Sequence, residues 1–215
     1  MSSILVLFSI LGALLIGAIS PGPSFVLVSR IAVASSRRDG LAAAMGMGIG
    51  GAIFGALALA GLSAILIQVD WLYLILKLAG GAYLIYLGIR LWRGAADPID
   101  ISGPAAPGNM SRFRPLSFAL ITQISNPKTA VVYGSIFAAL LPASPPFWLL
   151  MTLPPLIFVV ETSWYAFVAV AFSAKRMRSA YLGSRIWIDR VAGAVMGALG
   201  ARLILEGVHF ACKRA

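Results

Sequence analysis

Two charged side chains interrupt otherwise apolar stretches of the sequence, and they are the first candidates for chemistry. Lys128 lies near the middle of the apolar run 113–142, and Glu161 lies within the apolar run 147–173. A charge at the centre of a bilayer costs about 2.5–3.5 kcal/mol on insertion scales, so each must face a wet cavity or an opposite charge. Lys128 could pair with a substrate carboxylate, and Glu161 could exchange a proton or bind a substrate ammonium group. A static ion pair between the two is the alternative.

A proline-rich break interrupts the first apolar run, residues 4–34, at Pro21, Gly22 and Pro23. Proline removes a backbone donor and clashes with the preceding turn, so this run should form an interrupted helix. The break frees carbonyl groups before it and amide groups after it. A half-helix beginning at Ser24 would present unpaired amides and a positive dipole end to a substrate carboxylate. A purely structural kink is the alternative.

A second break lies in the fourth run at Asn126 and Pro127, directly before Lys128. Gln123 lies one turn earlier, so two amide side chains flank this break. We therefore take all four residues as candidates for substrate binding. Interhelical hydrogen bonding is the ordinary role for such amides in a membrane protein.

Trp164 and Tyr165 follow Glu161 within one helical turn, and we expect them to serve helix packing or lipid contact, with a cavity wall as the other option. Other charges suggest structural roles. Lys77 is expected to snorkel to the membrane interface. Arg202 and Glu206 have the i,i+4 spacing of a helical ion pair, and Asp189 at the start of the last span suits a helix N-terminus.

The composition indicates what kind of elements must position these residues. The chain has 215 residues, of which 60% are hydrophobic and 11% are charged. A soluble domain has about 25% charged residues, so a soluble enzyme, a disordered tail and a coiled coil are excluded. Six apolar runs are long enough to span a membrane as α-helices. They are residues 4–34, 41–66, 72–92, 113–142, 147–173 and 186–208.

The net charge of +10 records topology rather than affinity for nucleic acid. Twelve of the 17 basic residues fall in the first, third and fifth connections, and two, Lys213 and Arg214, lie at the C-terminus. The positive-inside rule makes the odd connections cytoplasmic and leaves both termini outside.

The two halves of the chain show a weak internal repeat. Residues 20–23 correspond to 125–128, and residues 77–81 correspond to 190–194. Repeat one is residues 1–94, a cytoplasmic linker is 95–112 and repeat two is 113–215. Because each half has three spans, the second half must be inverted. Inverted repeats with interrupted helices are typical of secondary transporters whose site lies at the midplane. A general likeness of small-residue helices is the alternative.

Several other features limit the function classes. The chain has one cysteine and one histidine, so we expect no metal site and no cofactor. No nucleophile–base pair can be named, which argues against an enzyme. Small-residue spacing at Gly46/Gly50 and Gly51/Gly55 favours helix packing, with homo-oligomerisation as the lesser option. A non-transporting membrane scaffold with structural kinks remains the competing class.

Taken in order, these motifs resemble the LysE/RhtB superfamily of bacterial amino-acid exporters. The resemblance rests on residues 20–23, the turn 37–40 before a glycine-rich span, and residues 77–88, 126–128 and 187–190. It implies an inner-membrane exporter of amino acids or their derivatives, with a small zwitterionic substrate and the proton gradient as the driving force.

Overall fold

The structure is a computed structural model, and it describes residues 3–20, 22–68, 70–95, 113–142 and 144–212. These residues form helices and contain no β-strand, which confirms the all-helical class. Pro21, residues 96–112 of the predicted linker, and Lys213 and Arg214 lie outside the described residues. The helices are α1 (Ser3–Ile19), α2 (Pro23–Ala34), α3 (Arg37–Gln68), α4 (Asp70–Gly94), α5 (Phe113–Ile124), α6 (Pro127–Leu140), α7 (Phe147–Ser173) and α8 (Lys175–Cys212).

Both predicted helix interruptions are present, and they differ in how the helix after the break is capped. The axes of α1 and α2 differ by 58°, and α5 ends at Ile124 before α6 begins at Pro127. Each second helix starts with proline at its first turn, where the missing N–H has no helical partner in any case. Asn126 caps α6 by accepting a hydrogen bond from the Lys128 amide, whereas Gly22 leaves α2 without a side-chain cap.

Several helices have the length and apolarity of membrane spans. Among the described residues, Arg37–Gly61, Phe147–Ser173 and Ile186–His209 meet both requirements, and counting α1 with α2 as one bent span adds a fourth. Large apolar side chains cover the outside of the bundle, for example Phe8, Phe147 and Leu205. The chain is therefore a multi-pass membrane protein.

The last helix begins earlier than the hydropathy of the sequence predicts. The predicted span starts at residue 186, whereas α8 is continuous from Lys175. Asp189 consequently lies inside the helix, and its predicted stabilisation by a helix N-terminus is wrong. Its side chain is buried.

Glycines of α3 allow α5 and α7 to approach it closely. A Cβ atom on Gly50 would lie 2.7 Å from the Cβ of Gln123, and one on Gly55 would lie 2.7 Å from Cδ1 of Ile157. The predicted packing role of this small-residue face is confirmed. The close approach brings the polar residues of α5 and α7 to the same side of α3.

A second glycine interface joins α4 to α8. A Cβ atom on Gly88 would lie 2.6 Å from the carbonyl oxygen of Gly193, and one on Gly200 would lie 2.5 Å from that of Gly81. Backbone therefore packs directly on backbone at two levels of this helix pair. The pair α4 and α8, like α3 and α7, joins elements in equivalent positions of the two predicted repeats.

The role predicted for Lys77 is also wrong. Lys77 does not simply snorkel to the interface, because its Nζ lies 3.0 Å from Oε2 of Glu206 and the side chain is buried. The predicted pair between Arg202 and Glu206 is confirmed, with Nε and Oε1 2.8 Å apart. The carboxylate of Glu206 thus pairs with Lys77 of α4 and also with Arg202 of its own helix.

Buried apolar side chains form two clusters. The first joins α1, α6 and the first half of α7, and it includes Leu14 and Tyr133. The second joins α2, α3 and the end of α7, and it includes Phe25 and Tyr165. The helix breaks lie between the two clusters, so polar groups at the breaks are enclosed by apolar packing on both sides.

We expect Gly88→Ala to destabilise the protein, because its methyl group would overlap the backbone of α8. Overpacking of this kind costs about 1–3 kcal/mol. The matched control is Gly197→Ala, since a Cβ atom on Gly197 meets no atom within 4 Å. The apparent melting temperature of each purified variant in detergent is the measurement. Equal values for the two variants would contradict close packing of α4 on α8.

Candidate functional site

A small polar cavity lies between the two apolar clusters, at the helix breaks. Its volume is about 30 Å³, which is room for about two water molecules. A free amino acid does not fit until the lining side chains move. The predicted site residues that line it are Gly22, Ser24, Gln123, Asn126, Lys128, Glu161 and Tyr165.

The first break leaves backbone acceptors of α1 without helical donors. A helical carbonyl normally accepts from the amide four residues later. Residues 21 and 23 are prolines and have no N–H, so the oxygens of Gly17 and Ile19 cannot receive that bond. In a membrane these oxygens need a donor from elsewhere in the protein.

Lys128 supplies one such donor from the second half of the chain. Its Nζ donates to the carbonyl oxygen of Gly17 at 3.3 Å and to that of Ser20 at 3.2 Å. A cation suits this position because the C-terminal end of a helix carries partial negative charge. Gly22 makes the approach possible, since a Cβ atom there would lie 3.2 Å from Nζ.

Two further donors from the second half complete the end of α1. The indole Nε1 of Trp164 donates to the carbonyl oxygen of Ala18 at 3.1 Å. The hydroxyl of Tyr181 donates to that of Ile19 at 3.2 Å. Trp164 is not among the residues that line the cavity, and its hydrogen bond instead joins α7 to the end of α1.

The second break satisfies its own backbone. Pro127 leaves the carbonyl oxygen of Gln123 without a helical donor, and the amide of Asn126 donates to it at 3.2 Å. The side-chain oxygen of Asn126 accepts from the Lys128 amide at 3.0 Å. The two breaks are therefore unequal: one is closed locally, and the other is completed by residues of the opposite half.

A continuous chain of hydrogen bonds joins both breaks to Glu161. Nδ2 of Asn126 donates to Oγ of Ser24 at 3.0 Å, and Oγ donates to Oε1 of Gln123 at 2.6 Å. Nε2 of Gln123 then donates to Oε2 of Glu161 at 2.7 Å. The hydroxyl of Tyr133 donates to Oε1 of the same carboxylate at 2.6 Å. Every bond is directed towards Glu161, which is the final acceptor.

The two charges singled out in the sequence do not bond to each other here. Glu161 is 3% exposed and receives neutral donors on both oxygens. Lys128 is held by backbone carbonyls, and Asp189 acts on it electrostatically. The absence of a side chain at Gly51 of α3 leaves room for the carboxylate, because a Cβ atom there would lie 2.5 Å from Oε2. Both charges line one cavity without forming the ion pair that was the alternative prediction.

Sequence reasoning missed Tyr133 and Tyr181, which supply two of the hydrogen bonds at the site. Tyr133 stands in an apolar helix, where a tyrosine usually serves packing. Tyr181 stands among the basic residues 175–185, which the charge pattern assigns to a connection between spans. Pro23 and Pro127 act through the backbone and do not line the cavity, and Pro21 lies outside the described residues. Within the described part of the chain, no cluster of three or more acidic, histidine or cysteine side chains could hold a metal ion.

Comparison with known proteins identifies the family. The model of the LysE type translocator matches residues 15–207 of this chain. The chain belongs to the LysE family. The resemblance inferred from the sequence motifs is thereby confirmed, and the matched region contains every predicted site residue.

Several similar proteins match most of this chain. The threonine efflux protein of Escherichia coli K12 is 31% identical over 193 residues, which is 89% of this chain and 94% of the relative. The uncharacterized membrane protein YahN of the same strain is 31% identical, over 92% of this chain and 88% of the relative. The leucine efflux protein of Salmonella choleraesuis is 27% identical, over 86% and 88%. No solved structure matches this LysE protein significantly.

We expect Tyr133→Phe to destabilise this LysE protein, because it removes one of the two donors to a buried carboxylate. Leaving a buried polar group without its partner costs about 1–3 kcal/mol. Tyr86→Phe is the matched control, since Tyr86 is 55% exposed. The apparent melting temperatures of the two purified variants provide the test. A Tyr133→Phe protein as stable as the control would mean that the bond to Glu161 contributes nothing.

Proposed function

We propose that this LysE-family protein exports amino acids or amino-acid derivatives across the bacterial inner membrane in exchange for protons. The observation that carries the proposal is the buried polar chain from Asn126 through Ser24 and Gln123 to Glu161. It connects both helix breaks at the centre of an apolar bundle. The names of the threonine and leucine efflux relatives support an amino-acid substrate.

The substrate carboxylate would bind at the start of α2. This helix has no side-chain cap, and its first turn points amides and a positive dipole end outward. Ser24 adds a hydroxyl group, and Lys128 lines the same cavity. Neutral donors together with one cation suit a carboxylate better than they suit an uncharged group.

Glu161 is the proposed proton carrier. As a carboxylate it accepts bonds from both Gln123 and Tyr133. A proton on either oxygen needs an acceptor, and the amide nitrogen of Gln123 cannot accept one. Protonation would therefore weaken a bond between α7 and α5 or reverse the bond to Tyr133. Proton binding and helix contact are linked directly through this residue.

Movement of the two inverted halves would expose the cavity to each side in turn. The pairs α3 with α7 and α4 with α8 join equivalent elements of the proposed repeats, as expected for halves that rock against each other. Six spans with both termini outside complete this proposal. A scaffold with structural kinks, the competing class, has no need of a buried acid that receives two neutral donors.

We expect Lys128→Ala and Glu161→Gln each to abolish efflux, because the first removes the cation of the cavity and the second removes the proton carrier. Efflux of threonine and leucine from preloaded cells is the measurement, after insertion has been checked by membrane fractionation. Lys77→Ala and Glu206→Gln are the matched controls, since they remove the same charges from the α4–α8 ion pair outside the cavity. Full efflux by either cavity variant would remove that residue from the mechanism.

Efflux should also stop when an uncoupler collapses the proton gradient while ATP stays high. The driving force of the proposed exchange is proton entry, so no other energy source should replace it. The control is to hold ATP at its starting level and measure it in the same cells. Efflux that continues at the same rate against a substrate gradient would rule out proton coupling.

A further inference from the structure

The ammonium group of Lys128 occupies a ready-made cation site. It bonds to the carbonyl oxygens of Gly17 and Ser20 at 3.3 and 3.2 Å. Pro21 removes the normal helical donor of the Gly17 oxygen, and the helix dipole adds negative charge at this end of α1. An amino-acid substrate carries an ammonium group with the same charge and the same three donors.

We propose that the carbonyl oxygens of Gly17 and Ser20 bind the ammonium group of the substrate, and that Lys128 occupies this subsite when no substrate is bound. This inference rests on the proposed function and specifies how the same site recognises its substrate. It assigns the ammonium group to backbone at the end of α1, rather than to Glu161.

The surroundings of Glu161 favour this assignment. Both carboxylate oxygens already receive donors, from Gln123 at 2.7 Å and from Tyr133 at 2.6 Å. An ammonium group would have to break one of these bonds in order to bind there. The carbonyl subsite, in contrast, already holds an ammonium group and needs only an exchange of one for another.

In this exchange the substrate supplies both the ammonium group that replaces Lys128 and the carboxylate that then binds it. The carbonyl oxygens of Gly17 and Ser20 already accept from Nζ of Lys128, so a second ammonium group at the same oxygens would overlap it, and two cations at such a distance repel each other. An entering substrate must displace the lysine, whose charge then needs a new anion. The carboxylate of the same substrate supplies it. A zwitterion therefore supplies both charges that the cavity needs, whereas an amine without a carboxylate leaves the displaced Lys128 without an anion inside the cavity and is excluded.

The test compares L-threonine with two compounds that each lack one of its charges: the amino alcohol L-threoninol, which has no carboxylate, and N-acetyl-L-threonine, in which a larger acetamide replaces the ammonium group. Binding to purified protein in lipid nanodiscs is measured by titration calorimetry for the wild type and for Lys128→Met. Lys77→Met is the matched control, because it removes a buried lysine outside the cavity. Gly22→Ala is a second variant, since its methyl group would lie 3.2 Å from Nζ and 3.3 Å from Cδ of Lys128 and would push the lysine away from the carbonyl oxygens by a few tenths of an ångström.

We expect the wild type and Lys77→Met to bind L-threonine and to reject the other two probes. Lys128→Met should lose affinity for L-threonine by about tenfold or more and gain a similar factor for L-threoninol, because its carbonyl subsite is vacant. Gly22→Ala should shift in the same direction by a smaller factor. N-acetyl-L-threonine, which has no ammonium group, should bind to none of them.

Two results would overturn the inference: no gain in L-threoninol binding by Lys128→Met or Gly22→Ala, or wild-type binding of L-threoninol as tight as that of L-threonine. Either could occur while wild-type cells still export amino acids, so the proposed function would survive. Failure of wild-type efflux across all amino acids would instead refute the proposed function itself. A Lys128→Met protein that does not fold leaves Gly22→Ala to decide.

Discussion

Unpaired carbonyl oxygens at the end of α1 are the constraint on which the rest of the structure depends. Prolines at positions 21 and 23 remove the helical donors of Gly17 and Ile19, and a membrane interior offers no water as a substitute. The second half of the chain supplies Lys128 and Tyr181 instead. The first half of the chain therefore cannot complete its own backbone, and its first helix is held in place by residues of the second half.

This dependence links the stability of the structure to the cavity of the proposed function. The bonds of Lys128 to α1 lie in the wall of the same cavity that holds Glu161. Any movement that withdraws the lysine leaves two backbone acceptors unpaired, which costs about 1–3 kcal/mol for each buried group. A ligand that replaces the lost donors lowers this cost. A broken helix in a membrane can thus serve as a switch, provided that its free groups are satisfied in every state.

Most of the candidate site could be predicted from the sequence because its signals do not depend on neighbours. Proline removes an N–H in any fold, and a charge within an apolar run must be accommodated somewhere, so both breaks, Lys128 and Glu161 could be identified. Predictions based on local context did less well. The role predicted for Lys77 overlooked a carboxylate on a distant helix, and that of Asp189 assumed a helix start that lies at Lys175 instead.

The sequence by itself determined that this is a helical membrane protein, where its helices break, and which carbonyl groups the prolines leave unpaired. Only the tertiary structure decided which donors reach them. Lys128 bonds to backbone and not to Glu161, and Tyr133 joins the carboxylate without any signal in the sequence. The reason is geometric: partners across a bundle depend on the rotation and separation of whole helices. In this chain, close glycine contacts along α3 and α8 set both the rotation and the separation of the helices.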